Sequence, residues 1–275
     1  MCGIAGTVYK KNYLPGIMVE VEELVELFSE VKLGKATCLE FLDLAWKYKS
    51  NVNFIRYCKD KFEAVKLKSL LNSVYVYSER LKSELRLIDK SQSLTDYKKT
   101  VKDWESLLDA HWFFSSEIQK TKDTLHELVG TDLSKLSDNA IVLFKDIIKV
   151  IHSIDSRLEL RGRDSFGLSI SLTSHNFNIQ KEDINFKGEA NEELYYSHSG
   201  LTGTYSFVFK TCNMIGSLGD NAREIKYLIR NNKNFMDLII GDKVDFASII
   251  GHTRWASVGE VSLDNTHPVG LTQSS

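Results

Sequence analysis

The second residue of the chain, Cys2, could hold a nucleophile and a base in one residue. Methionine aminopeptidases remove Met1 when the next side chain is small, and Cys2 would then carry a free α-amino group beside its thiol. An α-amine with a pKa of about 7.7–8.0 can accept the thiol proton and later return it to a leaving amine. The structural alternative is that Cys2 is only a small apolar residue at the start of a strand.

Two glycines, Gly3 and Gly6, follow Cys2 within a segment that has the composition of a strand, residues 4–9. Glycine weakens an ordinary strand, but it allows close approach of the backbone to a ligand and unusual dihedral angles. The glycines therefore favour a site at the N-terminus over a purely structural strand.

A second polar stretch, Arg161-Gly162-Arg163-Asp164-Ser165-Phe166-Gly167, joins a predicted helix to a predicted strand. By itself, this pattern is typical of a helix-to-strand turn in which Asp164 and Ser165 bond nearby backbone amides.

A third stretch begins as an apolar strand, residues 247–251, and ends in Arg254 and Trp255, with Asn265-Thr266-His267-Pro268 downstream. The planar guanidinium of Arg254 suits two-point binding of a carboxylate, and Trp255 could form the wall of a small pocket. The alternative is a structural ion pair for Arg254 and a core position for Trp255.

Residues 17–130 are rich in Leu, Lys, Glu and Ser and predict consecutive helices that end at Gly130. Apolar residues recur at helical spacing in five sets: Val21, Leu24, Val25 and Phe28; Leu39, Leu42, Ala45 and Trp46; Cys58, Phe62 and Val65; Val74, Tyr77, Leu81, Leu85 and Ile88; Val101, Trp104, Leu108, Trp112, Ile118 and Leu125. We expect an antiparallel bundle or a long helical hairpin, with packing between its own helices favoured over a coiled coil with a partner.

The second half of the chain predicts a mixture of helices and strands. A helix capped by Ser137 or Asp138 should run toward Gly162, and alternating patterns predict strands at residues 168–172 and 205–209. A further helix is expected at residues 220–231. This order favours a layered α+β architecture.

Composition restricts the class of protein. A chain of 275 residues with a formal net charge of -2 lacks the basic excess of a nucleic-acid or membrane-surface binder. Its four cysteines are scattered, which favours a reduced, cytoplasmic protein, and no apolar run or N-terminal signal indicates a membrane span or secretion. The sequence gives no indication of a metal or another cofactor.

Three motifs, taken together, resemble the class II glutamine amidotransferases, which are N-terminal nucleophile hydrolases. They are Met1-Cys2-Gly3-Ile4, the stretch at residues 161–167, and the stretch at residues 251–256 with Asn265-Thr266-His267-Pro268. The motif Gly251-His252-Thr253-Arg254-Trp255-Ala256 is most similar to that of the glucosamine-6-phosphate synthase branch of the family. The resemblance implies an αββα sandwich formed by residues 1–16 and 138–275, interrupted by an all-helical insertion at residues 17–137.

The resemblance also implies roles for individual residues. Cys2 would attack the side-chain amide of glutamine and release ammonia by way of a thioester. Arg254 would bind the substrate carboxylate. The implied remaining residues are Trp255, Ser257 and His267 around the substrate, and Gly3, Arg161, Gly162, Asp164 and Gly167 in support of the site.

The chain departs from the family pattern at several points. Relatives usually carry threonine and histidine where this chain has Ser257 and Val258. The family's oxyanion-binding Asn-Gly pair and the acidic residue for the substrate amine are expected beyond residue 275, so we expect a C-terminally truncated domain with weak or absent turnover. Fructose 6-phosphate would be reached only through a sugar-isomerase domain that this chain lacks.

Other functions remain open at this point. The same scaffold could serve a non-catalytic regulatory or assembly protein, in which the helical insertion binds a protein partner or forms a homo-oligomer. Another class II amidotransferase, or a nucleophile hydrolase acting on a different amide, is a further alternative.

Overall fold

The computed structural model describes residues 3–14, 16–87, 94–158, 162, 164–175, 177, 195–199, 202–212, 218–255, 261–263 and 265–267. The chain divides into two compact units. The sheet unit comprises residues 1–13 and 124–275, and the helical unit comprises residues 14–123. Both divisions fall earlier in the chain than the predicted ones, which followed residues 16 and 137.

In the helical unit every described regular element is a helix. These elements are α1 (Val21–Lys32), α2 (Cys38–Lys47), α3 (Asn51–Lys59), α4 (Lys61–Leu87), α5 (Leu94–Trp112), a π-helical segment (Phe113–Gln119) and the beginning of α6 (Lys120–Val129). Local sequence explains where helices begin, because Thr37 and Glu40 form a reciprocal capping box on α2 and the Ser50 side chain caps α3.

The predicted apolar face of α1 is confirmed at Val21, Leu24 and Phe28, which are buried, and is wrong at Val25, which is 40% exposed. The prediction is also wrong at the start of α4, because Phe62 and Val65 are 80% and 68% exposed. The apolar spacing of Cys58, Phe62 and Val65 predicted one helical face, but Cys58 lies on α3 and the other two residues lie on α4, beyond Asp60. The Asp60 carboxylate accepts a hydrogen bond from the Phe62 amide at 2.7 Å and so begins a new helix with a different phase.

The predicted face of α5 is displaced by about one residue. Leu107, Ala110 and Phe113 are buried, whereas Trp112 is exposed. Large aromatic side chains commonly keep an exposed edge, so the two tryptophans of this helix are poor markers of its buried face.

The sheet unit contains a five-stranded antiparallel sheet with the strand order β1-β5-β2-β4-β3. Its strands are β1 (Gly3–Lys10), β2 (Ser165–Ser174), β3 (Tyr195–Ser199), β4 (Thr202–Thr211) and β5 (Phe246–Arg254). Its helices are α7 (Asp138–Ser153), which continues as a π-helical segment (Ile154–Leu158), α8 (Asp220–Asn231) and α9 (Lys233–Ile240), and a short 3-10 helix (Leu133–Lys135) precedes α7. The mixed α+β prediction is confirmed, as is the Ser137 cap of α7, whose hydroxyl accepts from the Ala140 amide.

One face of the sheet is covered by helices. β2 buries Phe166, Leu168, Ile170 and Leu172 on this face. Helix α7 packs against β1 and β5, while α8 packs against β2 and β4. The Phe235 ring of α9 contacts Phe207 and Phe209 of β4 at centroid distances of 5.1 and 5.5 Å. These contacts form the core of the unit.

The opposite face is open along β1 and β5. Ile4 and Val8 on β1 are 71% and 78% exposed, and Phe246 and Ile250 on β5 are also exposed. Large apolar side chains grouped on one sheet face are unusual unless another layer covers them. None of the helices in the described ranges is long and apolar enough to cross a membrane.

Candidate functional site

The candidate site lies where β5 ends between two neighbouring strands. Gly3 of β1 pairs with Thr253, and Ser165 of β2 pairs with Arg254 on the other side. Residues near the N-terminus, near position 165 and near position 254 therefore meet at one end of the sheet. Antiparallel pairing causes this convergence, since the carboxyl end of β5 lies beside the amino ends of both neighbours.

Two glycines allow the segments to approach closely. A Cβ atom on Gly3 would lie 2.7 Å from the Cβ atom of Leu158, so a larger residue would displace the π-helical segment after α7. A Cβ atom on Gly162 would lie 3.0 Å from Thr253 Oγ1 and 3.1 Å from the carbonyl carbon of Arg254. Both glycines are thus required by contact with the residues that form the site.

Arg254 connects the strand end to the downstream segment. Its Nη1 atom donates a hydrogen bond to the main-chain oxygen of Asn265 at 2.9 Å. Its own main-chain oxygen accepts from the Asp164 amide at 3.2 Å. The hydrogen bond from Asp164 therefore fixes the backbone of Arg254, and the hydrogen bond to Asn265 orients its guanidinium.

A pair of histidines lies beside this arginine. The rings of His252 and His267 have their centroids 5.0 Å apart at an interplanar angle of 52°. Burial lowers the pKa of His252, and the neighbouring His267 and Arg254 lower it further. His252 is accordingly neutral at physiological pH, which leaves one ring nitrogen able to accept a hydrogen bond.

Two buried polar atoms at the strand end have no hydrogen-bond partner among the described residues. They are Nδ1 of His252 and Oγ1 of Thr253, whose side chain is fully buried. Burial of such an atom costs free energy unless a hydrogen-bond partner satisfies it. Both belong to β5 at the level where β1 begins.

The structure brings together five of the predicted site residues: Gly3, Gly162, Asp164, Arg254 and His267. Gly167 lies two residues beyond Ser165 on β2, where it pairs with His252 of β5 on one side and Lys210 of β4 on the other. Trp255 follows the strand and is 52% exposed. Cys2, Arg161 and Ser257 lie outside the described residues.

Sequence reasoning did not select His252 and Thr253 as site residues. A signal was present, since alternation along a strand places His252 and Arg254 on the same face. The unsatisfied hydroxyl of Thr253 points to the opposite face and could not be recognised before the pairing with Gly3 was known.

Across the described ranges, no three or more His, Cys, Asp or Glu side chains are grouped so as to hold a metal ion. None of the three described cysteines, Cys38, Cys58 and Cys212, takes part in a disulfide bond.

Comparison of the chain with models of known protein families, with curated proteins and with solved structures finds no match.

Proposed function

We propose that this chain is the glutaminase part of a class II glutamine amidotransferase, with Cys2 as its nucleophile. The strongest support is that three segments far apart in the sequence, near residues 3, 165 and 254, meet at one end of the sheet. Gly3, which follows Cys2 directly in the chain, pairs with Thr253, and the carboxylate-binding candidate Arg254 is the next residue along β5. A nucleophile and a carboxylate anchor have to be this close for one amino acid to reach both.

The proposed reaction transfers an acyl group to sulfur and then to water. The Cys2 α-amine takes the thiol proton, and sulfur attacks the side-chain carbonyl of glutamine. The carbon–nitrogen bond breaks as the α-ammonium returns the proton, so ammonia leaves and a γ-glutamyl thioester remains. Water then attacks the thioester, giving glutamate and the free thiol. No oxidant or reductant is consumed.

Arg254 would hold the substrate α-carboxylate through its guanidinium, which already has one fixed hydrogen bond to Asn265. His267 and Trp255 would border the substrate. The ring of His252 would pack against that of His267. Because the His252 ring is neutral, it would add no charge that competes with Arg254 for the carboxylate.

A second β-layer over the open face of β1 and β5 would complete an αββα sandwich of the nucleophile hydrolase type. The exposed Ile4 and Val8 support this extension of the proposal, because apolar side chains on a sheet face are stabilised by a covering layer. The ammonia acceptor is proposed to be a sugar phosphate, fructose 6-phosphate, on the resemblance alone. A free Cys2 thiol would require a reducing compartment such as the cytoplasm.

The test is covalent labelling by 6-diazo-5-oxonorleucine, an electrophilic glutamine analogue, followed by intact mass and peptide mapping. Labelling needs the nucleophile and the carboxylate anchor but not a complete turnover. We expect loss of Met1 and one adduct on Cys2, with no adduct in Cys2→Ala. An adduct that persists in Cys2→Ala would overturn the proposal, as would an unlabelled Cys2 that iodoacetamide still alkylates.

The carboxylate anchor has a matched control. Arg254→Met should slow labelling by roughly 10- to 100-fold because a charge-assisted hydrogen bond to the analogue is lost. Alkylation by iodoacetamide, which has no carboxylate in that position, should be unchanged. Arg223→Met, at an exposed position on α8, should behave as the unmodified chain.

A further inference from the structure

A groove runs along the surface of the helical unit between α1 and α4. It consists of two adjoining cavities of about 350 and 480 Å³, and both are lined by Lys32, Ser69 and Ser73. On α4 the lining extends from Lys66 to Arg80, which corresponds to about 21 Å of helix. The groove therefore has the length of about four helical turns.

Short side chains leave this space open. Ser69 and Ser73 are one turn apart on the exposed side of α4, and the Ser73 hydroxyl is turned back to the Ser69 main-chain oxygen at 3.1 Å. Beneath them, Phe28 and Leu70 are buried and form an apolar floor. An apolar ridge from another helix could enter between the two serines, because small residues permit close approach of two helices.

Charge is distributed unevenly along the groove. At one end, Glu22 of α1 forms an ion pair with Lys66 of α4. At the other end, the Lys32 ammonium lies 5.3 Å from the centroid of the Phe28 ring, and the Arg80 guanidinium lies 5.8 Å from that of Tyr77. These two rings contact each other edge to face at 5.9 Å, so the far end presents two cations on an aromatic base. Of these cations, Arg80 also forms an ion pair with Glu84 through its Nε atom at 2.8 Å.

Between these ends lies an unbalanced acidic group. Glu26 lines the first cavity and is exposed, six residues before Lys32 on the same helix. Within the helical unit as described, neither Glu26 nor Lys32 has an ion-pair partner. Their separation along the α1 axis is about 9 Å, which among same-face spacings on a partner helix is nearest to the roughly 10.5 Å between residues seven positions apart.

We propose that the α1–α4 groove binds an amphipathic helix of a partner protein. That helix carries an acidic residue against Lys32 and Arg80, a basic residue seven positions away against Glu26, and apolar residues between them. The spacing follows from the charges on α1, and the apolar ridge follows from the floor of Phe28 and Leu70. This inference stands independently of the glutaminase proposal, because it uses no residue of the sheet unit.

The test uses two synthetic fourteen-residue helical peptides of identical composition, one with the proposed charges and one with the acidic and basic residues exchanged. Fluorescence anisotropy with the full chain should show the first binding about 10-fold more tightly, since two or three exposed ion pairs differ between them. Ser73→Trp, which fills the groove at an exposed position, should abolish binding of both peptides.

Charge reversal gives the sharper control. The triple variant Glu26→Lys, Lys32→Glu and Arg80→Glu should bind the exchanged peptide better than the original one. Lys68→Glu, an exposed change on α4 outside the groove, should leave both affinities within about 2-fold. Equal affinity for the two peptides, absence of binding, or binding that survives Ser73→Trp would each overturn the proposal. So would sedimentation that shows a second copy of this chain occupying the groove, as a dimer lost in Ser73→Trp.

Discussion

The buried polar groups of the two units differ in their hydrogen-bond and ion-pair partners. In the helical unit, the buried Glu63 carboxylate accepts from the Tyr48 hydroxyl at 2.9 Å and pairs with Arg56, which also reaches Glu20. In the sheet unit, adjacent residues of one strand, His252 and Thr253, each leave a buried polar atom without a described partner. A network of ion pairs and hydrogen bonds indicates a structural role, whereas two neighbouring unpartnered atoms are compatible with the proposed site.

This contrast depends on clustering as well as on number. The helical unit also has two unpartnered buried atoms, Arg56 Nη1 and Trp104 Nε1, but they belong to different helices, α3 and α5. One lies on a guanidinium that is otherwise bonded to two carboxylates. Only the sheet unit, within the ranges described, places two such atoms on consecutive residues.

The largest expected effect tests how the sheet unit is held together. A Cβ atom on Gly251 would lie 2.2 Å from Ile154 Cδ1 and 3.0 Å from Val150 Cγ1, so Gly251→Val overpacks the contact of β5 with α7 and the π-helical segment that continues it. We expect a loss of about 3 kcal/mol or more in the free energy of unfolding, measured with a chemical denaturant. Ser248→Val, on the exposed face of the same strand, should change it by less than about 0.5 kcal/mol. Equal effects of the two variants would show that the close approach is unimportant.

An intermediate effect is expected in the helical unit. Arg56→Met removes the cation beside Glu63, whose side chain is 4% exposed, and should cost about 2 kcal/mol near neutral pH. This is less than for a fully buried pair because Arg56 is partly exposed. Replacing both residues, Arg56→Met with Glu63→Met, should restore most of the stability, since the unpaired charge is then gone.

The same variant has a predictable pH dependence. Burial raises the pKa of Glu63 above its usual value, despite the opposing effects of Tyr48 and Arg56. A carboxyl that binds its proton more tightly in the folded state stabilises that state at low pH and loses this contribution as pH rises. The deficit of Arg56→Met should therefore shrink as the pH is lowered from 7 to 4, because protonation of Glu63 removes the unpaired buried charge. A constant deficit from pH 4 to 7 would contradict this assignment.

The smallest effect should have the opposite sign. Thr253→Val keeps the shape of a fully buried side chain and removes its unpartnered hydroxyl, so the free energy of unfolding should rise by about 1 kcal/mol. If the hydroxyl serves the proposed site, labelling of Cys2 by the glutamine analogue should slow at the same time. A variant that is destabilised instead would mean that Oγ1 has a structural partner in the folded protein.

Much of the secondary structure was predictable from local sequence. The helix at residues 220–231 was predicted at the bounds it has, and the strands at 168–172 and 205–209 lie inside β2 and β4. Local rules suffice there because alternation, capping and apolar spacing act within a few residues. They failed at Asp60, where a single capping carboxylate resets the helical phase without interrupting the pattern of apolar residues.

The site was only partly predictable. Sequence patterns selected Arg254 and Asp164 as candidates, but their approach depends on the pairing of β5 with both β1 and β2, which no local signal specifies. The groove on α1 and α4 was not foreseen, because it arises from which serines happen to lie between two packed helices.

The order of the strands also has a consequence for protein synthesis. Gly3 pairs with Thr253, so β1 waits for about 250 further residues to be synthesised before its partner strand is complete. At roughly 5–20 residues per second, this leaves the N-terminus unpaired for about 12 to 50 s. We expect an aminopeptidase to remove Met1 during this interval, before β1 pairs with β5. Mass analysis of nascent chains halted before β5 would show it, and an intact Met1 on those chains would place the removal after folding.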